Sequence, residues 1–251
     1  PYLENFLAEL FGIKTEITDL NDCHHALQPF FDFKRTFIQR KAFKAVTAEA
    51  AAQLDGEELA EKLCALISHT YHETKDEMVF VEKVSEWLAD PEANEEALEL
   101  ATNYAGWALR TREGREKHAD GHLFKLPGKL DFERLVPAEM DTTSDYTVHK
   151  LPDKRLHRRE GFKLTDHGMD LKGALSEVHY CIYCHNQGKD SCANGLKAKS
   201  KDGAKVPFNE SPFGVALTGC PLGARISEMN ILKAQGSAIG SLAALIVENP
   251  M

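Results

Sequence analysis

Apolar residues in the first 110 positions recur every three or four residues, the period of a helix that buries one face. In Glu57–Ile67, Leu59, Leu63, Leu66 and Ile67 fall on one stripe. Met78–Leu88 predicts a second apolar helix. Asp90-Pro91-Glu92 reads as a helix start, with an acidic N-cap, a proline at the first helical position and an acid in the first turn. The helix after it carries Ala97, Leu100, Ala101, Tyr104, Trp107 and Ala108 on one face, a core face rather than a cofactor box. No stretch of residues 1–110 alternates long enough to predict a sheet strand.

The period is lost over residues 111–169. Pro127, Pro137 and Pro152 break it, and charges crowd in. Leu123-Phe-Lys-Leu-Pro127 and Leu135-Val-Pro137 read as extended strips lying on the helical body, and Asp141–Asp145 as a turn. Helical character returns from Asp170, with Leu171, Leu175 and Val178 near one face. Carried on to Cys184, that helix would bring Cys181 and Cys184 to the same side of its C-terminal end. Asn186–Asp190 turns the chain, Lys197–Lys205 is a polar loop with solvated lysines, and Val206–Leu217 predicts a short hairpin. Cys220-Pro221 then reads as the opening of a helix through Ile226, Met229, Asn230 and Lys233 that ends at Gly236. Ala238–Val247 is a last, strongly apolar helix that stops at Asn249-Pro250. The pattern predicts an all-α chain with a small β-hairpin near 206–217. It divides into a helical bundle at 1–110, an irregular connector at 111–169 and a cysteine-bearing helical unit at 170–251.

Composition narrows the classes. The chain has 251 residues, 43% of them apolar, enough for a sizeable core. A net charge of −9 argues against tracking a phosphate backbone, so nucleic acid is not the expected partner. No run approaches 18 apolar residues, so no membrane span is predicted. The chain starts at Pro1 rather than Met and stops at Met251 directly after an apolar helix, so a processed start and a continuing natural sequence are expected.

The candidate chemistry lies in the cysteines. Cys64 flanks the Leu59–Ile67 stripe and reads as a small buried hydrophobe. Cys23-His24-His25 has ligand-type side chains, but nothing near it completes four ligands. His149, His157 and His167 are irregularly spaced and support a shared metal only weakly. Cys181, Cys184, Cys192 and Cys220 have the spacing C-x2-C-x7-C-x27-C-P. A chain with a helical core of this length does not need disulfides, so clustered thiols point to metal or redox work. Four thiolates suit zinc or an iron–sulfur cluster. The Cys-Pro pair favours a cluster, because a chain bent away there frees N–H groups to face negative sulfur. Gly188, Gly195, Gly219 and Gly223 lie close in sequence to the cysteines and would let backbone amides approach sulfur. Structural zinc usually uses a second C-x-x-C, which is missing. A c-type haem would use Cys181, Cys184 and His185, leave Cys192 and Cys220 without a role, and require export. The ligand rules favour iron–sulfur, with zinc, haem and no metal as the alternatives.

Tyr180-Cys-Ile-Tyr-Cys184, Asp190-Ser-Cys192, Gly219-Cys-Pro-Leu222, Ile226-Ser-Glu-Met-Asn230 and Glu248-Asn-Pro-Met251 resemble the first half of an α-helical ferredoxin. This is the N-terminal iron–sulfur domain of the family of dihydropyrimidine dehydrogenase and the glutamate synthase small subunit. Within that family the chain is most similar to large bacterial FAD-dependent pyridine-nucleotide oxidoreductases with an extra helical region in front. The resemblance covers about residues 170–251 and leaves 1–110 unassigned. It implies two [4Fe-4S] clusters that pass electrons to or from a flavin. Cys181, Cys184 and Cys192 would serve one cluster and Cys220 the other, with His185 a bystander. The remaining ligands, FAD and NAD(P)H would belong to downstream parts of the same polypeptide.

The chain departs from the family pattern in three ways. The 27 residues between Cys192 and Cys220 imply an inserted loop. The second cysteine half is not among these residues, and no G-x-G-x-x-G follows a predicted strand. The expectation is therefore an N-terminal fragment of a cytoplasmic oxidoreductase that relays electrons, is not catalytic on its own, and holds its clusters incompletely or not at all. Its partners would be the remainder of its own polypeptide and a protein docking on 1–110. The alternative is a helical protein-interaction module with a structural Cys-zinc site.

Overall fold

A computed structural model describes residues 2–67, 77–128, 132, 135–136, 138–153, 156, 159–166, 168–198 and 206–249. These are mainly helical, with one two-stranded sheet. Helix α1 (Tyr2–Phe11) precedes the long α2 (Lys14–Phe33), which runs directly into a π-helical segment, Lys34–Ala42, and a last turn, α3 (Phe43–Ala45). Pro29 lies inside α2 and cannot donate to the carbonyl one turn back, so the ladder is already interrupted just before the π turns begin. The short α4 (Ala48–Ala51) is capped by Thr47, whose side chain accepts the Ala50 N–H. Helices α5 (Gly56–Ile67), α6 (Glu77–Ala89) and α7 (Glu95–Arg110) complete the body, and α8 (Arg112–Lys117) follows after a break at Thr111.

Aromatic rings fill the centre. Phe80 meets Phe33 and Phe124 edge-on, with centroids 6.0 and 5.3 Å away, and Tyr104 meets Phe124 at 5.7 Å. Such edge-to-face pairs add roughly 0.5–1.5 kcal/mol each beyond the area they bury. The α7 face expected from its period is the one that packs, with Ala101, Tyr104, Trp107 and Ala108 buried.

Several local expectations change. The buried stripe of α5 centres on Ala60, Leu63 and Ile67, so Leu66 at its edge faces solvent. Cys64 is half-buried against the core. Asp90 accepts the Ala93 N–H and closes a turn, and α7 begins only at Glu95. Leu123 and Phe124 enter the core itself rather than lying on it, whereas Leu135 and Val136 are exposed. The connector contains the two-stranded sheet, β1 (Glu139–Asp141) antiparallel to β2 (Val148–Lys150), around the expected turn. The hairpin near 206–217 is a narrow ladder: Glu210 bridges Ala216, and Phe208 bridges Lys197 on the incoming chain. Pro137, His157, His167, most of the Lys197–Lys205 loop and Pro250-Met251 lie outside the described residues.

The C-terminal helices are α9 (Leu171–Val178), α10 (Ser191–Asn194), α11 (Ile226–Ala234) and α12 (Ala238–Glu248). Helix α9 packs on α2, α11 packs on α12, and α12 reaches α1, where the Ser237 hydroxyl donates to Glu4 Oε1 at 2.8 Å. Two buried charges join this unit to the helical body. Glu77, at the start of α6, accepts the backbone N–H groups of His122 (2.8 Å) and Leu123 (2.7 Å) and the Lys172 ammonium (2.7 Å). Lys34 is buried and donates to the Ser176 hydroxyl (3.1 Å) and the Tyr180 hydroxyl (3.2 Å). Burial lowers its pKa to about 8, against the pull of Glu77 and Glu177.

Two stability predictions follow from these contacts. Glu77→Ala leaves Lys172 and two N–H groups uncompensated and should cost about 3–5 kcal/mol in denaturant unfolding; a loss below about 1 kcal/mol would show the carboxylate to be dispensable. His118 contacts the Tyr104 hydroxyl at 2.9 Å, and burial lowers its pKa from 6.5 to about 4. Between those values the unfolded chain binds the extra proton. Stability should therefore be complete above about pH 6.5 and fall by up to about 1.4 kcal/mol per pH unit toward pH 4, with a flatter profile in His118→Gln.

Candidate functional site

The predicted cysteines sit in loops rather than on helices. Helix α9 stops at Val178, so Cys181 lies beyond its end and Cys184 opens a separate 3₁₀ turn, Cys184–Gln187. The reason is backbone geometry: Tyr183 is left-handed (φ 50°), which ends any helical continuation between the two cysteines. Asp190 is also left-handed (φ 37°), and its carboxylate accepts the Ala193 N–H at 3.4 Å to start α10. Cys220-Pro221 likewise opens a turn, and α11 starts at Ile226.

These bends turn N–H groups toward sulfur. Tyr183 N–H donates to Cys181 Sγ (3.4 Å), and Ser191 N–H donates to Cys184 Sγ (3.2 Å). Ser227, buried on α11, completes the arrangement. Its hydroxyl accepts from Cys181 Sγ at 3.9 Å. The Ser191 N–H holds the Cys184 thiol below its ordinary pKa, outweighing the opposing effect of desolvation. Burial pushes the Cys192 thiol up, and neighbouring Cys184 and Cys181 add to that.

Cys220 joins through the backbone: its N–H donates to the Cys192 carbonyl at 2.8 Å. The contact depends on Gly195 and Gly219, both left-handed at φ 77° and 87°. A Cβ on Gly219 would lie 2.5 Å from Gly195 N, and one on Gly195 would lie 2.5 Å from the Leu217 carbonyl oxygen. Gly188 and Gly223 have open space instead and serve their turns.

Other candidates do not converge. Cys23 and His25 are exposed while His24 is buried against Gly236. His149 is exposed on β2, and His185 sits on the 3₁₀ turn with a buried Nδ1 that lacks a partner among the described residues. Among the described residues, no three His, Cys, Asp or Glu side chains form a group suited to a single metal ion. The soft donors that would hold a metal or cluster are the thiols of Cys181, Cys184 and Cys192, and backbone N–H groups are aimed at the first two sulfurs. The pattern of cysteines did not reveal the Ser227 hydroxyl beside Cys181, although it lies in the quoted Ile226–Asn230 stretch.

No family model matches the chain, and no solved structure matches it. A protein of Rickettsia prowazekii (strain Madrid E), described as "Uncharacterized protein RP005", is 30% identical over 244 residues, which span 94% of this chain and 78% of that protein.

The raised Cys192 thiol should alkylate more slowly than exposed Cys23 in metal-free protein at neutral pH. Gly219→Ala, which pushes the two loops apart, should bring Cys192 labelling up toward that of Cys23. Peptide mass spectrometry reads the ratio, and an unchanged ratio in the variant would refute the role given to the glycine contact.

Proposed function

We propose that the chain, which belongs to the same family as the Rickettsia prowazekii protein RP005, is the electron-transfer module of a flavin-dependent oxidoreductase. The observation that supports this is the pair of backbone N–H groups, of Tyr183 and Ser191, that donate to the sulfurs of Cys181 and Cys184 in the loop that also carries Cys192. These three thiolates would hold one [4Fe-4S] cluster, whose fourth ligand comes from elsewhere in the polypeptide, and Cys220 would serve a second cluster. A bound cluster supplies one-electron transfer. The chain's own part is to orient the thiolates, to stabilise negative sulfur with the N–H groups of Tyr183 and Ser191, and to shield the site with buried Ser227. FAD and NAD(P)H would bind in downstream domains, so the module itself needs no acid, base or nucleophile.

Clustered free thiols fit the cytoplasm, where cysteines are kept reduced. No helix among the described residues is long and apolar enough to cross a membrane. A protein partner for residues 1–110 is supported by the exposed Tyr2, Phe6, Leu10 and Phe11 on α1.

The full-length gene product, purified without oxygen, should contain iron and acid-labile sulfide. Cys181→Ala should lose most of both, while residues 1–251 alone should hold much less than one cluster per chain. Zinc without sulfide would replace this reading with a structural zinc site in an interaction module. A positive pyridine haemochrome test would replace it with haem.

A further inference from the structure

The π-helical segment Lys34–Ala42 forms one wall of a cleft of about 740 Å³ beside the cysteine loop. In an α-helix, Arg35 and Arg40 would point about 140° apart; the wider π turn, about 4.4 residues per turn, narrows this to about 50°. Arg35, Gln39, Arg40 and Phe43 therefore line the same cleft. The stretch His179–Tyr183 forms the facing wall, and Leu126 and Pro127 also line it. Its volume lies within the range of about 300–1,000 Å³ usual for small-molecule sites.

The guanidinium groups in this cleft are short of partners. Arg35 lies over the Tyr183 ring at 5.2 Å, and among the described residues neither Arg35 nor Arg40 is paired with a carboxylate. His179 is nine-tenths buried, and neither of its ring nitrogens has a hydrogen-bond partner among the described residues. Its ring face stacks on Phe31 at 4.7 Å, and both nitrogens are closed off from solvent, so His179 is part of the cleft's floor. Two guanidinium groups without acidic partners on one wall of a cleft are a binding feature that packing does not explain. A cationic cleft on a chain of net charge −9 is also a local concentration of charge, not an average property of the surface.

We propose that this cleft binds an anionic ligand with a flat aromatic ring, of mononucleotide size. Arg35 and Arg40 would hold the phosphate, and the ring would lie along Tyr180 and Tyr183. Binding needs no metal in the cysteine loop, so the inference goes beyond the electron-transfer reading and does not depend on it.

The test is a titration of the chain as purified, with flavin mononucleotide followed by fluorescence and adenosine monophosphate by calorimetry. Riboflavin and adenosine are the phosphate-free counterparts. At least one nucleotide should saturate, its phosphate-free counterpart should bind about tenfold or more weakly, and Arg35→Glu and Arg40→Glu should each weaken binding by about tenfold or more. Absence of saturation for both nucleotides up to about 1 mM, equal binding without the phosphate, or unchanged affinity in both variants would overturn the proposal. Should circular dichroism show a variant to be misfolded, phenylglyoxal modification of the unaltered chain decides. The bound nucleotide must protect Arg35 and Arg40, and modification at the unprotected rate overturns the proposal.

Discussion

The buried carboxylate of Glu77 fixes where the cysteine-bearing unit sits on the helical body. Removing a carboxylate from water costs several kcal/mol, which only well-formed compensation offsets. Here one oxygen takes two backbone N–H groups, the other takes the Lys172 ammonium, and the side chain opens α6 where the helix dipole favours negative charge. The two N–H groups belong to the segment that delivers Leu123 and Phe124 to the core, and Lys172 stands in the first turn of α9. One side chain thus sets both the aromatic packing under the connector and the position of the helix that leads to Cys181. Lys34 then reads that position from the other side, through Ser176 and Tyr180. The helix and turn that lead into the cysteine loop are therefore held by residues 95 to 146 positions earlier in the chain.

The loop itself is strained on purpose of geometry. Tyr183 and Asp190 bracket Cys184 in left-handed conformations that cost on the order of 1–3 kcal/mol each for ordinary residues. A continuous helix would have kept the N–H groups of this stretch in its own ladder. The bends release them to sulfur, and Ser227 from α11 meets the Cys181 thiol. Because α11 packs on α9 and α12, the anchor is part of the folded unit rather than of the loop. Thiols placed in advance lose less freedom on binding a ligand than thiols on a free loop.

Helices with long apolar faces were legible in the sequence, because burial of one face imposes a period that the sequence must carry. The core face of α7 is the clearest case. Features that depend on distant partners were not legible. Glu77 and Lys172 are 95 positions apart, and nothing local marks either as buried. Leu123-Phe124 is too short to show a period, and its prolines suggested a surface strip. Lys34–Ala42 reads as helix, but whether its turns are α or π depends on what it packs against. The C-x2-C spacing matched neighbours on a helix because three residues is nearly one turn. The left-handed Tyr183 removed that helix, a conformation that non-glycine residues seldom adopt and that the pattern does not encode.

The same spacing could not by itself separate haem, zinc and cluster, since all three begin with two cysteines at this interval. The folded chain adds a constraint that spacing lacks. Cys192, eight residues beyond Cys184, accepts the Cys220 N–H through its carbonyl, so the two later cysteines of the pattern lie side by side. Thioether attachment of a haem engages two and leaves the third without purpose. A single zinc ion needs its thiolates drawn into one tight tetrahedron, whereas a cluster takes them farther apart. Tyr183 and Ser191 supply N–H groups aimed at sulfur, the kind of second contact that tunes a thiolate ligand whichever metal it serves.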